Sequence, residues 1–122
     1  DVPEVSEERL LIYRDYLLKN LNKDAILTGR EDFLWEEYYV LGPGDAKEYA
    51  KLKETQPSYT DKYRLLDISK DQIEENDLIA ILKRLSDSKE FEIGLSWLST
   101  EDETSKEYLL LDDFATWVVN WF

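Results

Sequence analysis

The stretch Ser69-Lys70-Asp71-Gln72-Ile73-Glu74-Glu75-Asn76-Asp77-Leu78-Ile79-Ala80-Ile81-Leu82-Lys83-Arg84-Leu85 decides how this chain folds. On a helical period, Ile73, Leu78, Ile81, Leu82 and Leu85 share one side. Ser69 or Asp71 stands as the cap. Asp71, Glu74 and Glu75 open the segment, and Lys83 and Arg84 close it. That polarity suits the helix dipole. The reading is therefore a helix, entered from one strand and left by a turn at Asp87-Ser88-Lys89.

The flanks are read against that helix. Upstream, Tyr63–Ile68 alternates as a strand, with Tyr63, Leu65 and Asp67 on one face. Downstream, Glu90–Leu98 places Phe91, Ile93, Leu95 and Trp97 on one strand face. A loop at Ser99–Ser105 and a return strand at Glu107–Leu111 would complete a hairpin. Asp112-Asp113 then caps a last helix over residues 114–122, where Trp117, Val118 and Trp121 form a stripe. Val118-Val119 and the aromatics also suit a strand, but Ala115 and the cap favour the helix.

Nearer the start, residues 1–6 read as a short arm. Ser6 precedes Glu7 and Glu8, and Leu10, Leu11, Tyr13, Leu17, Leu18 and Leu21 recur at helical spacing, giving a helix over 7–21. Ala25–Thr28 is a short strand or a loop. Phe33–Leu41 reads as a strand, although Trp35-Glu36-Glu37-Tyr38 is also compatible with a helix. Gly42-Pro43-Gly44 ends that element, and Asp45 caps a short helix through Leu52. Residues 53–61 have no period and read as a surface loop. The expected fold is α+β: a small antiparallel or mixed sheet of about four strands packed by three to four helices. Residues 1–122 are expected to form one acidic domain.

Composition restricts function. The 122 residues include 28 acids and 15 bases, no histidine and no cysteine, for a formal charge of -13. Histidine acid–base chemistry, cysteine nucleophiles, disulfides and thiolate metal sites are excluded. The acid is evenly spread, 14 residues in each half of the chain, so the field belongs to the folded surface and not to a tail. Apolar residues make up 43% of the chain, too many for a disordered polyanion. No apolar run approaches the roughly 20 residues of a membrane span, and a cytoplasmic location is the default expectation.

The acid–base candidates are carboxylates only. Glu36-Glu37 and Asp112-Asp113 are adjacent pairs, but nothing fixes the separation that paired-carboxylate hydrolysis requires. Surface and capping roles explain them, and no enzyme activity is expected. Glu101-Asp102-Glu103 lacks the ligand spacing and glycine of a calcium loop. Asp71, Glu74, Glu75 and Asp77 are explained by a wet helix start, so no metal is expected. Gly42-Pro43-Gly44-Asp45 lacks the lysine of a phosphate loop, and no cofactor is implied. Lys62, Arg64 and Lys70 are the nearest approach to a basic patch, which argues against direct nucleic-acid binding.

Binding of a basic protein remains. Acids steer such a partner and aromatics anchor it. The four tryptophans, Trp35, Trp97, Trp117 and Trp121, each have a simpler assignment as core. Two regions nevertheless combine acids with aromatics. The first holds Asp32, Trp35, Glu36, Glu37, Tyr38 and Tyr39; the second holds Trp97, Glu101, Asp102, Glu103, Glu107 and Tyr108. Tyr59, beside Pro57 in a polar loop, is a further candidate. Size and acidity resemble those of bacterial toxin-immunity proteins and other nuclease inhibitors, and no motif assigns residues from that likeness. The expectation is an inhibitor that covers the substrate cleft of a basic toxin or nuclease. The alternatives are an adaptor or structural domain and a DNA-mimicking polyanion.

Overall fold

A computed structural model describes residues 4–74 and 76–120. Helix α1 spans Glu7–Asn20, where Ser6 Oγ accepts from Arg9 N at 3.3 Å as expected of its cap. Strand β1 is Leu27–Gly29, and residues 30–62 then leave the sheet. They contain a 3-10 turn at Leu34–Glu36, helix α2 at Glu37–Val40 and helix α3 at Ala46–Leu52. Strands β2 (Tyr63–Glu74), β3 (Asp77–Arg84) and β4 (Glu90–Gly94) follow. A 3-10 turn at Leu95–Trp97 leads to β5 (Leu98–Thr100), and α4 spans Lys106–Asn120. The sheet order is β4-β3-β2-β1-β5, with every neighbouring pair antiparallel.

The deciding stretch is a hairpin and not a helix. Residues 69–74 prolong β2, and Asp77–Arg84 returns as β3, with Ile73 opposite Leu78 and Glu74 opposite Asp77. In the turn Asn76 adopts φ 61°, a left-handed conformation that asparagine tolerates well. Leu78, Ile79, Ala80 and Leu82 are all buried. A helix would bury one stripe of this run, whereas a strand covered on both faces buries consecutive residues. The β-branched Ile79 and Ile81 favour the extended choice.

Three further expectations change. Phe33–Leu41 forms short helical turns, because Glu36 folds back to accept from Phe33 N at 3.3 Å, and among the described residues no strand pairs with it. The strand expected over Glu90–Leu98 breaks at Gly94, leaving β4 and β5 as separate sheet edges. Glu107–Leu111 belongs to α4, not to a return strand. Ser105 Oγ caps that helix by accepting from Tyr108 N at 3.1 Å, and Asp112-Asp113 lies mid-helix. The fold is α+β as expected, and its sheet of five antiparallel strands is close to the about four expected. Trp121 and Phe122 lie outside the described residues.

Helices α1 and α4 share one core with the sheet. Leu10 and Leu17 of α1 and Leu111, Phe114 and Trp117 of α4 join Leu27, Tyr63, Ile68, Leu78, Leu82, Leu95 and Leu98. Tyr13 bridges the helices, edge-on to Phe114 with ring centroids 5.0 Å apart and 5.3 Å from Trp117. Among the described residues, no helix is long and apolar enough to cross a membrane.

Candidate functional site

Strands β1 and β2 pair through Leu27 and Tyr63, yet residues 30–62 intervene. A hairpin needs two to five residues for such a connection. Of the large hydrophobic side chains in this excursion, Phe33 is buried, meeting Trp97 edge-on at 6.4 Å. The rest is held mainly by polar contacts and rings.

Two charged side chains organise it. Glu36 is fully buried. Its Oε1 accepts from Tyr49 OH at 2.9 Å and from Ser58 Oγ; its Oε2 accepts from Tyr59 N at 2.9 Å and Phe33 N. Burial, and then the bond to Glu36, push the Tyr49 hydroxyl up to about 12. Arg84, 3% exposed, reaches in from β3. Its Nη1 donates to Lys53 O, Gln56 O and Asp61 Oδ2, each at 3.0 Å. Its Nη2 donates to Glu54 O at 2.9 Å and Asp87 Oδ2 at 2.7 Å. The Arg84 hydrogen bond holds the Asp87 carboxyl down at about 2.

The segment after α3 is gripped by its main chain. Besides the carbonyls taken by Arg84, Pro57 O accepts from Trp35 Nε1 at 2.7 Å and Ser58 O from Tyr63 OH at 2.7 Å. Thr28 Oγ1 donates to both Tyr59 O and Asp61 O. Gly29 N also donates to Tyr59 O, and a Cβ at Gly29 would stand 2.4 Å from Tyr59 Cβ, so glycine is required there.

This scaffold displays an aromatic platform. Tyr39 and Tyr49 stack with centroids 5.2 Å apart, and Trp35 meets both rings edge-on. The Tyr39 hydroxyl donates to Glu48, which pushes it up to about 12. Tyr38 meets Tyr39 edge-on at 5.1 Å, and Leu34 (69% exposed), Tyr38 (57%) and Leu41 (77%) of the same segment face solvent. Glu37, Asp45 and Glu48 are exposed along the same segment.

The first expected patch is therefore assembled in part. Glu37 and Tyr38 are exposed, while Trp35 and Asp32 are half-buried. Glu36 is an internal bracket unavailable to a partner, because its lone pairs are taken by Tyr49, Ser58, Tyr59 and Phe33. Tyr59 is half-buried against the core and gives its main chain to the scaffold, so it is not a freely exposed anchor. Sequence reasoning missed Leu34 and Leu41, whose signal was a pair of leucines bracketing an aromatic run before Gly42-Pro43-Gly44. It also missed Arg84, read as a helix-end charge.

In the second patch, Glu101, Asp102 and Glu103 are exposed on the turn between β5 and α4. Asp102 fastens that turn, accepting from Thr104 Oγ1 at 2.6 Å and Thr104 N at 2.9 Å, and these bonds lower its carboxyl. Glu101 lies 3.7 Å from Lys62 Nζ. Glu107 is buried, with Asn22 N at 3.4 Å, and helical geometry turns it inward instead of presenting it on a strand. Glu101, Asp102 and Glu107 line one cleft of about 370 Å³ with Asp24 and Asn22. Among the described residues, no three carboxylates converge closely enough to hold a metal ion.

Asp77 is a separate buried carboxylate. Burial raises its pKa, and it accepts from Ser96 Oγ at 2.6 Å and Ser96 N at 3.2 Å, tying β3 to the turn before β5. Comparison with known proteins assigns no relative: no family model matches the chain, nor does any curated protein or solved structure.

Proposed function

We propose that this chain is an acidic protein-binding inhibitor, covering the cationic substrate cleft of a basic toxin or nuclease. The observation that carries this reading is the excursion at residues 30–62. It joins two paired strands that a short turn would join, and it spends its length on a braced aromatic platform. Binding residues are disproportionately carried on connecting segments that a rigid scaffold positions. Leu34, Tyr38 and Leu41 offer anchor area, and fully burying a leucine contributes roughly 1.5–3 kcal/mol. Rings already locked by stacking lose little freedom on binding. Glu37 and Asp45, within a chain of charge -13, would steer a cationic surface.

The test is capture from source-cell lysate on immobilised protein, followed by an activity assay of whatever is retained. One basic protein is expected at stoichiometric amount, its catalytic activity suppressed by adding this chain. Leu41→Ser should weaken that complex at least tenfold, mainly through dissociation. Glu37→Gln with Asp45→Asn should slow association and flatten its salt dependence. A retained partner whose activity is untouched would favour the adaptor reading. A heterogeneous, salt-labile set of basic proteins would favour polyanion mimicry.

A further inference from the structure

The two sheet edges are unequal. Strand β5 has three residues, all buried, with α4 against it. Strand β4 has five, and Glu90 and Glu92 are exposed. Arg84 N donates to Lys89 O at 2.8 Å, which fixes the phase of the β3–β4 ladder. By antiparallel alternation, Phe91 and Ile93 bond to β3, and the N–H and C=O groups of Glu90 and Glu92 point outward. Among the described residues, no backbone hydrogen bond outside that ladder engages Glu90 or Glu92.

We infer that the β4 edge is a docking site for an extended, basic segment of a protein partner, which adds to the sheet as a sixth strand. Charge selects this occupant. Glu92 sits opposite Ile81 on β3 and has no cationic neighbour in register, while Glu90 faces Lys83. A strand with lysine or arginine at alternate positions would set cations opposite both carboxylates. A second copy of this chain is the wrong occupant. Antiparallel self-pairing would set Glu92 against Glu92 or Glu90 against Glu92, and like charges directly opposite destabilise. The edge also begins at the foot of the excursion, where Lys89 Nζ donates to Glu54 O at 2.9 Å. A partner seated on the aromatic platform could therefore run on along β4. The inference rests on the proposed binding of a basic protein and adds the mode of contact.

Amide hydrogen exchange of the full chain, followed by NMR at low salt, tests it. The probe is the capped peptide acetyl-Lys-Val-Lys-Val-Lys-amide at millimolar concentration, against the same peptide N-methylated at alternate residues. Exchange at Glu90 and Glu92 should slow at least tenfold with the first peptide and less than twofold with the second. Replacing both residues, Glu90→Lys with Glu92→Lys, should weaken the lysine peptide at least tenfold and admit acetyl-Glu-Val-Glu-Val-Glu-amide. No slowing, equal slowing by the methylated peptide, or slowing confined to residues outside β4 would overturn the inference. Leu41→Ser should leave the peptide response unchanged. Undiminished partner capture by Leu41→Ser with a retained peptide response would thus count against the platform, and weakened capture by Leu41→Ser in a protein that shows no peptide response would count against the edge.

Discussion

At Glu36 four donors meet one buried carboxylate, and the adjacent Glu37 is exposed. Glu36→Ala strands Ser58, Tyr49 and the Tyr59 amide, and each unsatisfied buried donor costs about 1–3 kcal/mol. Urea unfolding should show a loss of at least about 2 kcal/mol, whereas Glu37→Ala should stay within about 0.5 kcal/mol of the parent. Arg84→Met removes the cation from Asp61 and Asp87 and releases three carbonyls. Asp61 and Asp87 stay part-exposed, so the loss comes mainly from the carbonyls left without their donor, about 1–3 kcal/mol, readable in the same assay. Asp87 supplies a pH signature. Its folded value of about 2 lies below the ordinary 3.8, so its stabilisation is complete above 3.8 and lost as pH falls towards 2. The stability gap between the parent and Asp87→Asn should close across that window. Sequence alone identified 32–39 as an acid–aromatic region, but neighbouring glutamates are equivalent until the backbone turns one inward.

Among the elements, α1 was legible because its apolar residues fit a single period and Ser6 caps it. Residues 69–85 fit two. Leu78, Ile81, Leu82 and Leu85 repeat at helical spacing, while Leu78, Ala80 and Leu82 alternate as strand residues on the core side. Acids before bases imitated a helix dipole, and Asn76, the residue that decides for the turn, looks unremarkable in a polar run. Its left-handed φ of 61° gives a direct check. Asn76→Val should cost about 1–2 kcal/mol, and Asn76→Gly should be close to neutral. Equal stability of the two variants in denaturant titration would contradict the hairpin. The same ambiguity affected Glu107–Leu111, where a branched and aromatic run stood in front of a helix whose cap, Ser105, lies further upstream.

For the whole molecule, a charge of -13 on 122 residues makes the compact state repel itself. Raising ionic strength from about 0.01 M to about 0.15 M shortens the screening length from about 30 Å to about 8 Å. The melting temperature should therefore rise with sodium chloride over this range, and a fall in a thermal scan would show that its ion pairs outweigh the repulsion. The architecture of a sheet packed by helices was readable from composition and period, but the separate excursion was not, because nothing in residues 53–61 announces where their carbonyls go. Those carbonyls have a consequence for change. Lys53, Glu54, Gln56, Pro57, Ser58, Tyr59 and Asp61 are each gripped through the peptide oxygen, an atom every amino acid carries. The anchorage is therefore blind to the side chain at Glu54 and Gln56, proline excepted because both amides donate in turn, whereas Lys53 also sets its ammonium 4.2 Å over the Tyr49 ring. A proline-free library at Glu54 and Gln56 should keep the fold while altering the rim of the platform, making the segment a ready cassette for recoding specificity.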